Sequence, residues 1–160
     1  MLGLVLNAVP SGVTDLGFVD APENPFEFTF KIQCNSCREI HGNEVNINQY
    51  EQHSIQGSRG EANFVFRCKN CKRESSASLQ TSKKRYMLED SGKDVTMLTI
   101  DPRGIDFVEF IPVGLFSCKG AESNTPFNEV ELEDGEWYDY DEKSGDEVSI
   151  TDIKWSIKKL

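Results

Sequence analysis

The chain has 160 residues, of which 38% are hydrophobic and 28% are charged, and its formal net charge is −10 at pH 7. We therefore expect a single compact domain over residues 1–160, and no apolar run approaches the ~20 residues of a membrane-spanning helix. So acidic a protein is repelled by nucleic acid and by anionic membranes, which argues against both as partners.

The apolar first ten residues carry no basic segment and are too short for a secretory signal. We interpret the chain as intracellular, located in the cytoplasm and also compatible with the nucleus. Its five cysteines are an odd number, which argues against a framework of disulfides.

Alternation of apolar and polar residues predicts an all-β fold, a two-lobed sandwich or barrel-like protein with little or no helix. In residues 26–34 the phenylalanines share one face with Ile32 and Cys34, and in residues 62–68 they share one face with Cys68. The two cysteines should therefore lie side by side at one end of a sheet. Further strands are predicted at 2–9, 44–49, 73–80, 95–100, 105–111, 136–140 and 147–158.

Within the last predicted strand the apolar positions change parity near residues 151–152, which indicates a bulge or break there. Residues 113–135 show the weakest strand pattern, and we predict an irregular acidic loop. Because Trp137, Tyr138 and Tyr140 must alternate between faces, at least one of them should be exposed or covered by another loop.

A weak internal repeat divides the chain into halves 1–80, which would bind the metal, and 81–160, in which the metal turns would be lost. In this scheme the turns at 101–104 and 141–144 stand where the cysteine turns stand in the first half. An ordinary series of antiparallel hairpins would look similar, so the sequence leaves both interpretations open.

The most specialised motif is a pair of C-x2-C turns, formed by Cys34 with Cys37 and by Cys68 with Cys71. Four thiolates at this spacing match the tetrahedral shell of one structural Zn²⁺. A redox dithiol, an iron–sulfur cluster and inert buried thiols remain alternatives, but the first and last do not explain two paired turns. A shell closed by four thiolates leaves no open position for catalysis, so we assign no catalytic residue.

The surroundings of these turns are cationic, and we expect the cations to offset the negative charge of a zinc–thiolate centre. They are Lys31, Arg38, Arg67, Lys69, Lys72 and Arg73. We interpret His41 and His53 as ordinary surface or loop residues and Cys118 as a packed or semi-exposed thiol. Residues 57–60 are interpreted as a tight connection with Arg59 on the surface.

Three segments, GSRGEANFVFRCKNCKRES, DPRGIDFVEFIPVG and KGAESNTPFNEVELEDGEWYDYDEK, together with the four cysteines, resemble the eukaryotic CXXC-motif-containing zinc-binding protein family. The resemblance covers nearly the whole chain. It implies that Cys34, Cys37, Cys68 and Cys71 are the zinc ligands and that the β-rich fold has two lobes with pseudo-twofold symmetry. The family is one of unknown function, so the resemblance implies no enzymatic activity.

We hypothesise a non-enzymatic zinc-binding protein that acts as a scaffold for another protein. Residues 122–147 hold eleven Asp and Glu residues against Lys143 alone, which makes this stretch the candidate interface. The alternative is a metal-handling protein that exchanges zinc or copper with another metalloprotein through labile thiolates. Binding of nucleic acid through the cysteine turns is disfavoured by the net charge.

Overall fold

The structure, a computed structural model, describes residues 1–57 and 60–160. The predicted connection at residues 57–60 includes residues 58 and 59, which lie outside the described residues. Strands β1 to β14 are, in chain order, Leu2–Ser11, Val13–Phe18, Phe28–Cys34, Val45–Ile47, His53–Ser54, Glu61–Ala62, Phe64–Arg67, Glu74–Thr81, Val95–Arg103, Ile105–Ile111, Phe116–Gly120, Pro126–Val130, Trp137–Asp141 and Asp146–Lys159. The described helical content is one 3₁₀ turn at Leu88–Asp90, and within these ranges no helix is long and apolar enough to span a membrane.

The predicted all-β class is confirmed, and the largest sheet is a curled half-barrel. This six-stranded sheet has the order β13-β14-β1-β9-β8-β7, and each neighbouring pair is antiparallel. Two three-stranded sheets, β10-β3-β4 and β12-β11-β2, and the small β5-β6 hairpin complete the described strands. Strands from both ends of the chain therefore share the large sheet.

Strand β3 shows how the sequence pattern fixes which face is buried. Phe28, Phe30, Ile32 and Cys34 are all buried, whereas Lys31 between them is exposed. Successive side chains of a strand point to opposite faces, so this alternation directs one row of β3 into the core. The row ends on Cys34, which carries the cysteine to the rim of the sheet.

An aromatic cluster joins the separate sheets. Phe18 of β2 lies 4.8 Å from Phe28 of β3 and 5.4 Å from Phe116 of β11, measured between ring centroids. Trp155 of β14 lies 5.9 Å from Phe116 and 4.9 Å from Phe110 of β10. Rings at these separations bury large apolar areas and hold the sheets in register with one another.

The predicted break in the last strand is confirmed at Asp152. This residue has a φ of +51°, and the pairing of β14 with β1 shifts register beside it, between Asn7 and Val9. Val148 and Ile150 are buried before the bulge. The bulge lets a single strand change which of its faces meets the core.

The prediction of an irregular loop at 113–135 is wrong, because this segment contains strands β11 and β12. In β11 Phe116, Cys118 and Gly120 are buried in alternation, a pattern too short to recognise from sequence. Strand β12 begins at Pro126, which the edge of a sheet tolerates because no inward N–H is needed there. The prediction also missed β2, which pairs with β11.

Candidate metal centre

Two backbone turns present the four cysteines. In the turn at residues 34–38, the Arg38 N–H donates to the Cys34 carbonyl at 2.8 Å and the Cys34 N–H donates to the Glu39 carbonyl at 2.9 Å. Arg38 has a φ of +68°, in the left-handed region that side-chain-bearing residues rarely adopt. This conformation reverses the chain immediately after Cys37, so both thiols of the turn face the same way.

The turn at residues 68–72 repeats this geometry. The Lys72 N–H donates to the Cys68 carbonyl at 2.9 Å, and the Cys68 N–H donates to the Arg73 carbonyl at 2.9 Å. Lys72 has a φ of +66°, matching Arg38 in the first turn. Each turn is therefore a preformed two-thiol unit that follows the end of a strand, β3 in one case and β7 in the other.

Gly104, between β9 and β10, helps to place the first turn against the large sheet. Its carbonyl accepts from the Asn35 N–H at 3.1 Å and from the Ser75 hydroxyl at 3.2 Å. A Cβ at this position, where φ is +86°, would lie 2.9 Å from the Ser75 oxygen. Only glycine fits this close approach, which links the first turn to β8.

The two turns bring all four thiols together, as the strand pattern predicted. The four sulfur atoms lie within 4.8 Å of one another. Cys34 and Cys71 are 3.6 Å apart and Cys37 and Cys68 are 3.7 Å apart, and all four are free thiols. A tetrahedral zinc with bonds of about 2.3 Å places its sulfur ligands about 3.8 Å apart, so this cluster fits the ion.

Cys37 and Cys71 differ in the pKa of their thiols. The side-chain amide of Asn70 and then the Glu39 N–H stabilise the Cys37 thiolate and lower the pKa of Cys37 to about 6. At Cys71 the Arg73 N–H lowers the pKa, but burial and the neighbouring thiols outweigh it and the pKa rises to about 11. Cys37 thus ionises readily, and its thiolate disfavours ionisation of Cys71. A bound divalent cation would instead lower the pKa of every thiol in the cluster.

Two of the six cations expected to offset the centre form ion pairs with carboxylates outside it. Lys31 lies 3.3 Å from Glu109, and Arg38 lies 3.4 Å from Asp106, both on the neighbouring strand β10. Arg73 instead reaches across to the first turn, where it donates to the Ser36 hydroxyl at 3.4 Å. That hydrogen bond links the two cysteine turns outside the thiol cluster.

The histidines and the fifth cysteine lie outside the four-thiol cluster. His53 is exposed and 3.4 Å from Glu51, and half-buried His41 packs edge-to-face on Phe66 at 4.8 Å. Cys118 is buried in β11, and burial raises the pKa of its thiol to about 12. This thiol is packed, as the sequence predicted, and its burial disfavours the reactive thiolate form.

A second pair of turns has the same backbone pattern. The sequence indicated the turn at 141–144 correctly, but it placed the partner turn at 101–104, where strand β9 ends, instead of at 120–124. The Asn124 N–H donates to the Gly120 carbonyl, the Gly120 N–H donates to the Thr125 carbonyl, and the Gly145 N–H donates to the Asp141 carbonyl. The fifth residue of each turn has a positive φ, +60° at Asn124 and +74° at Gly145. Here Gly120 and Asp141 occupy the positions that Cys34 and Cys68 hold.

A buried carboxylate joins these two turns. Asp141 is 1% exposed and accepts hydrogen bonds from the hydroxyls of Ser123 and Thr125 and from the backbone N–H groups of Lys143 and Ser144. The Ser123 hydroxyl and the other donors lower the pKa of Asp141 to about 2, against the opposing effect of desolvation. The turn at 141–144 stood out in the sequence, but its partner at 120–124 carries no chemical signature.

Comparison with known proteins agrees with this geometry. Residues 3–158 match the family described as CXXC motif containing zinc binding protein, eukaryotic. The UPF0587 protein C2D10.03c of Schizosaccharomyces pombe is 47% identical over 156 residues, with 98% of this chain and 96% of that protein covered. The human CXXC motif containing zinc binding protein is 33% identical, with 99% of this chain and 98% of that protein covered.

Solved structures share the fold. The crystal structure of C1orf123 superimposes with a TM-score of 0.89 at 31% identity, and 99% of each chain is covered. A hypothetical protein from Plasmodium falciparum superimposes with a TM-score of 0.86 at 19% identity, over 98% of each chain, which shows likeness of fold alone. With a family match over residues 3–158 and four clustered thiols, the chain belongs to the eukaryotic CXXC motif containing zinc binding protein family.

Proposed function

We propose that this protein is a non-enzymatic intracellular scaffold in which one structural zinc ion is held by Cys34, Cys37, Cys68 and Cys71. The observation that carries the proposal is the four-thiol cluster, whose sulfur atoms lie within 4.8 Å of one another on two hydrogen-bonded turns. Four protein thiolates would complete a tetrahedral shell and leave no position for a substrate. The ion would join the sheet that contains β3 to the sheet that contains β7.

The acidic face, residues 122–147, supports binding of another protein with a basic surface. Glu131, Glu133 and Asp134 are exposed, and among the described residues no carboxylate of the acidic face forms an ion pair. Unpaired exposed charge of one sign favours steering and recognition of an oppositely charged partner. Tyr138 and Tyr140 are 63% and 52% exposed in the same region, as alternation in β13 predicted.

Affinity capture from cell extract tests the acidic face. The variant Glu131→Lys, Glu133→Lys, Asp134→Lys should lose a partner that the native protein retains. A matched control, Glu23→Lys, Glu44→Lys, Glu89→Lys, makes the same charge change at exposed positions outside the face and should keep that partner. Equal recovery by both variants would remove the acidic face from the proposal.

A second candidate function, exchange of zinc or copper with another metalloprotein, is favoured by the accessibility of two thiols. Cys37 and Cys71 are only half-buried, so a ligand of a second metalloprotein can approach a bound ion at these two positions. Competition with a chromophoric chelator separates the two functions. Zinc release without unfolding supports exchange, whereas release coupled to denaturation supports the scaffold.

The proposal places the protein in the cytoplasm, and also in the nucleus, without nucleic acid or membrane as a partner. The net charge of −10 supports the absence of these two partners, because nucleic acids and anionic lipids repel such a chain. Retention of single-stranded or double-stranded nucleic acid in a filter-binding assay at low salt would contradict it.

A further inference from the structure

Strand β13 is the last strand of the large sheet on the side of the acidic face. It pairs with β14 along one edge, from Trp137 opposite Ile150 to Asp141 opposite Asp146. Its other edge, called the free edge below, is paired with no strand of the part of the chain that the structure describes. At the opposite end of the sheet, β7 is in contact with the small strand β5. An edge strand presents backbone N–H and C=O groups that a further strand can use.

The backbone groups of Tyr138 and Tyr140 face the free edge of β13. In an antiparallel pair, alternate residues bond to the partner strand, and the residues between them direct their N–H and C=O groups away from it. The Tyr140 N–H is accordingly bonded at 2.7 Å by the carboxylate of its neighbour Asp139 instead of by β14. That contact caps a donor that would otherwise be left for solvent or an added strand.

The side chains around this edge are acidic and aromatic, so they favour an added strand that carries positive charge. Both tyrosines project from β13 with more than half of each side chain exposed, and their neighbours Glu136, Asp139 and Glu142 are exposed carboxylates. Glu147, directly opposite Tyr140, adds another. Lysine and arginine side chains can pair with such carboxylates and lie on tyrosine rings.

We propose that the free edge of β13 accepts an extended lysine- or arginine-rich segment of a partner protein as an added antiparallel strand. The inference rests on the proposed role of the acidic face and names the kind of partner and its mode of binding. A cation of the incoming segment would take the Asp139 carboxylate from the Tyr140 N–H, which then donates to a carbonyl of the new strand. Main-chain hydrogen bonds give the affinity, and alternate cations give the selectivity.

A second copy of this chain does not fit the same edge. Two antiparallel β13 strands would place Glu136, Asp139 and Glu142 of one copy beside the same carboxylates of the other. Like charges directly opposite one another destabilise a strand pair, and each copy carries a net charge of −10. The carboxylates therefore select against self-pairing as well as for a basic segment.

The test compares two peptides with the zinc-loaded protein. One is a peptide of about ten residues that alternates lysine with threonine, and the other is the same peptide with N-methylated backbone amides on alternate residues. The first should bind at least about tenfold more tightly, because only it can complete the ladder. Amide hydrogen exchange should slow at Tyr138 and Tyr140 when the first peptide is bound, and not at Tyr50, which lies elsewhere.

Two variants sharpen the comparison. Tyr140→Pro removes the N–H that faces the free edge without removing a bond to β14, so it should weaken binding of the first peptide while the protein keeps its zinc. Tyr138→Ala combined with Tyr140→Ala removes the rings and keeps both N–H groups, with Tyr50→Ala as its control. The double alanine variant should weaken binding of the first peptide by a smaller factor than Tyr140→Pro does.

The outcomes separate edge pairing from simple charge attraction. Equal binding of both peptides, or unchanged exchange at Tyr138 and Tyr140, would overturn the added-strand inference even if the charge-reversal variant still loses its partner. Loss of partner capture by the charge-reversal control as well would instead count against the acidic face itself. Tighter binding of the unmethylated peptide with protection at both tyrosines supports strand addition.

Discussion

The hydroxyl of Thr125 donates to the carboxylate of Asp141 at 2.8 Å and thereby links the turn after β11 to the turn after β13. These turns have the backbone hydrogen bonds and positive φ angles of the two cysteine turns. In the cysteine pair the linking group would be a zinc ion. In this pair a buried carboxylate surrounded by hydroxyl and N–H donors provides the link, so the same turn geometry is joined by two different chemistries.

Removing the Asp141 carboxylate should destabilise the protein without affecting the cysteine cluster. Asp141→Ala leaves the hydroxyls of Ser123 and Thr125 and two backbone N–H groups without their acceptor, and buried donors that lose a partner are costly. We expect the melting temperature to fall by roughly 5 °C or more and the zinc content to stay at the native value. Glu142→Gln, at the exposed neighbouring position, should melt like the native protein.

The same carboxylate should contribute to acid sensitivity. Its folded pKa of about 2 lies below the ordinary value of 3.8 for an aspartate, so its stabilising effect is complete above pH 3.8 and is lost as the pH falls toward 2. The difference in melting temperature between the native protein and Asp141→Asn should therefore be constant near neutrality and shrink below about pH 4. Acid release of zinc acts on both proteins and cancels in the comparison. A difference that stays constant down to pH 2 would contradict the lowered pKa.

Local patterns allowed the sequence to predict the strands and the thiol cluster. Period-two burial in β3 places Cys34 at the rim of a sheet, and i,i+3 spacing brings Cys37 beside it. Strand β11 was missed because its short burial pattern includes a cysteine and a glycine and depends on pairing with β2. The role of Asp141 was also missed, because its partner turn lies about twenty residues away and contains only ordinary polar residues.

The likeness of the two turn pairs can be tested by building a metal site into the second one. The four positions equivalent to the zinc-site cysteines are Gly120, Ser123, Asp141 and Ser144. A Cβ on Gly120 would be directed at the Ser123 hydroxyl and the Asp141 carboxylate, so side chains from these positions converge. Replacing all four with cysteine should raise the zinc content measured by native mass spectrometry by one ion relative to the native protein.

A control for this design replaces only Ser123 with cysteine, which supplies one thiol and leaves Asp141 in place. It should bind no additional zinc ion, because one thiol and one carboxylate do not complete a shell. If the four-cysteine variant folds and binds no more zinc than the native protein, the equivalence of the turn pairs does not extend to side-chain geometry.

The cysteine cluster itself should couple metal binding to folding. In Cys68→Ser the hydroxyl replaces a buried thiol that lies 3.7 Å from Cys37, and serine does not supply the thiolate that zinc prefers. We expect loss of zinc and a fall in the free energy of unfolding on the order of 5 kcal/mol or more. The reason is that zinc binding to structural sites contributes about 10–16 kcal/mol of free energy that is coupled to folding. Cys118→Ser also changes a buried cysteine, but it lies outside the cluster and should retain the ion. Zinc content by elemental analysis and thermal melting measure both effects, and a Cys68→Ser protein with native zinc and native melting would show that Cys68 is not a ligand.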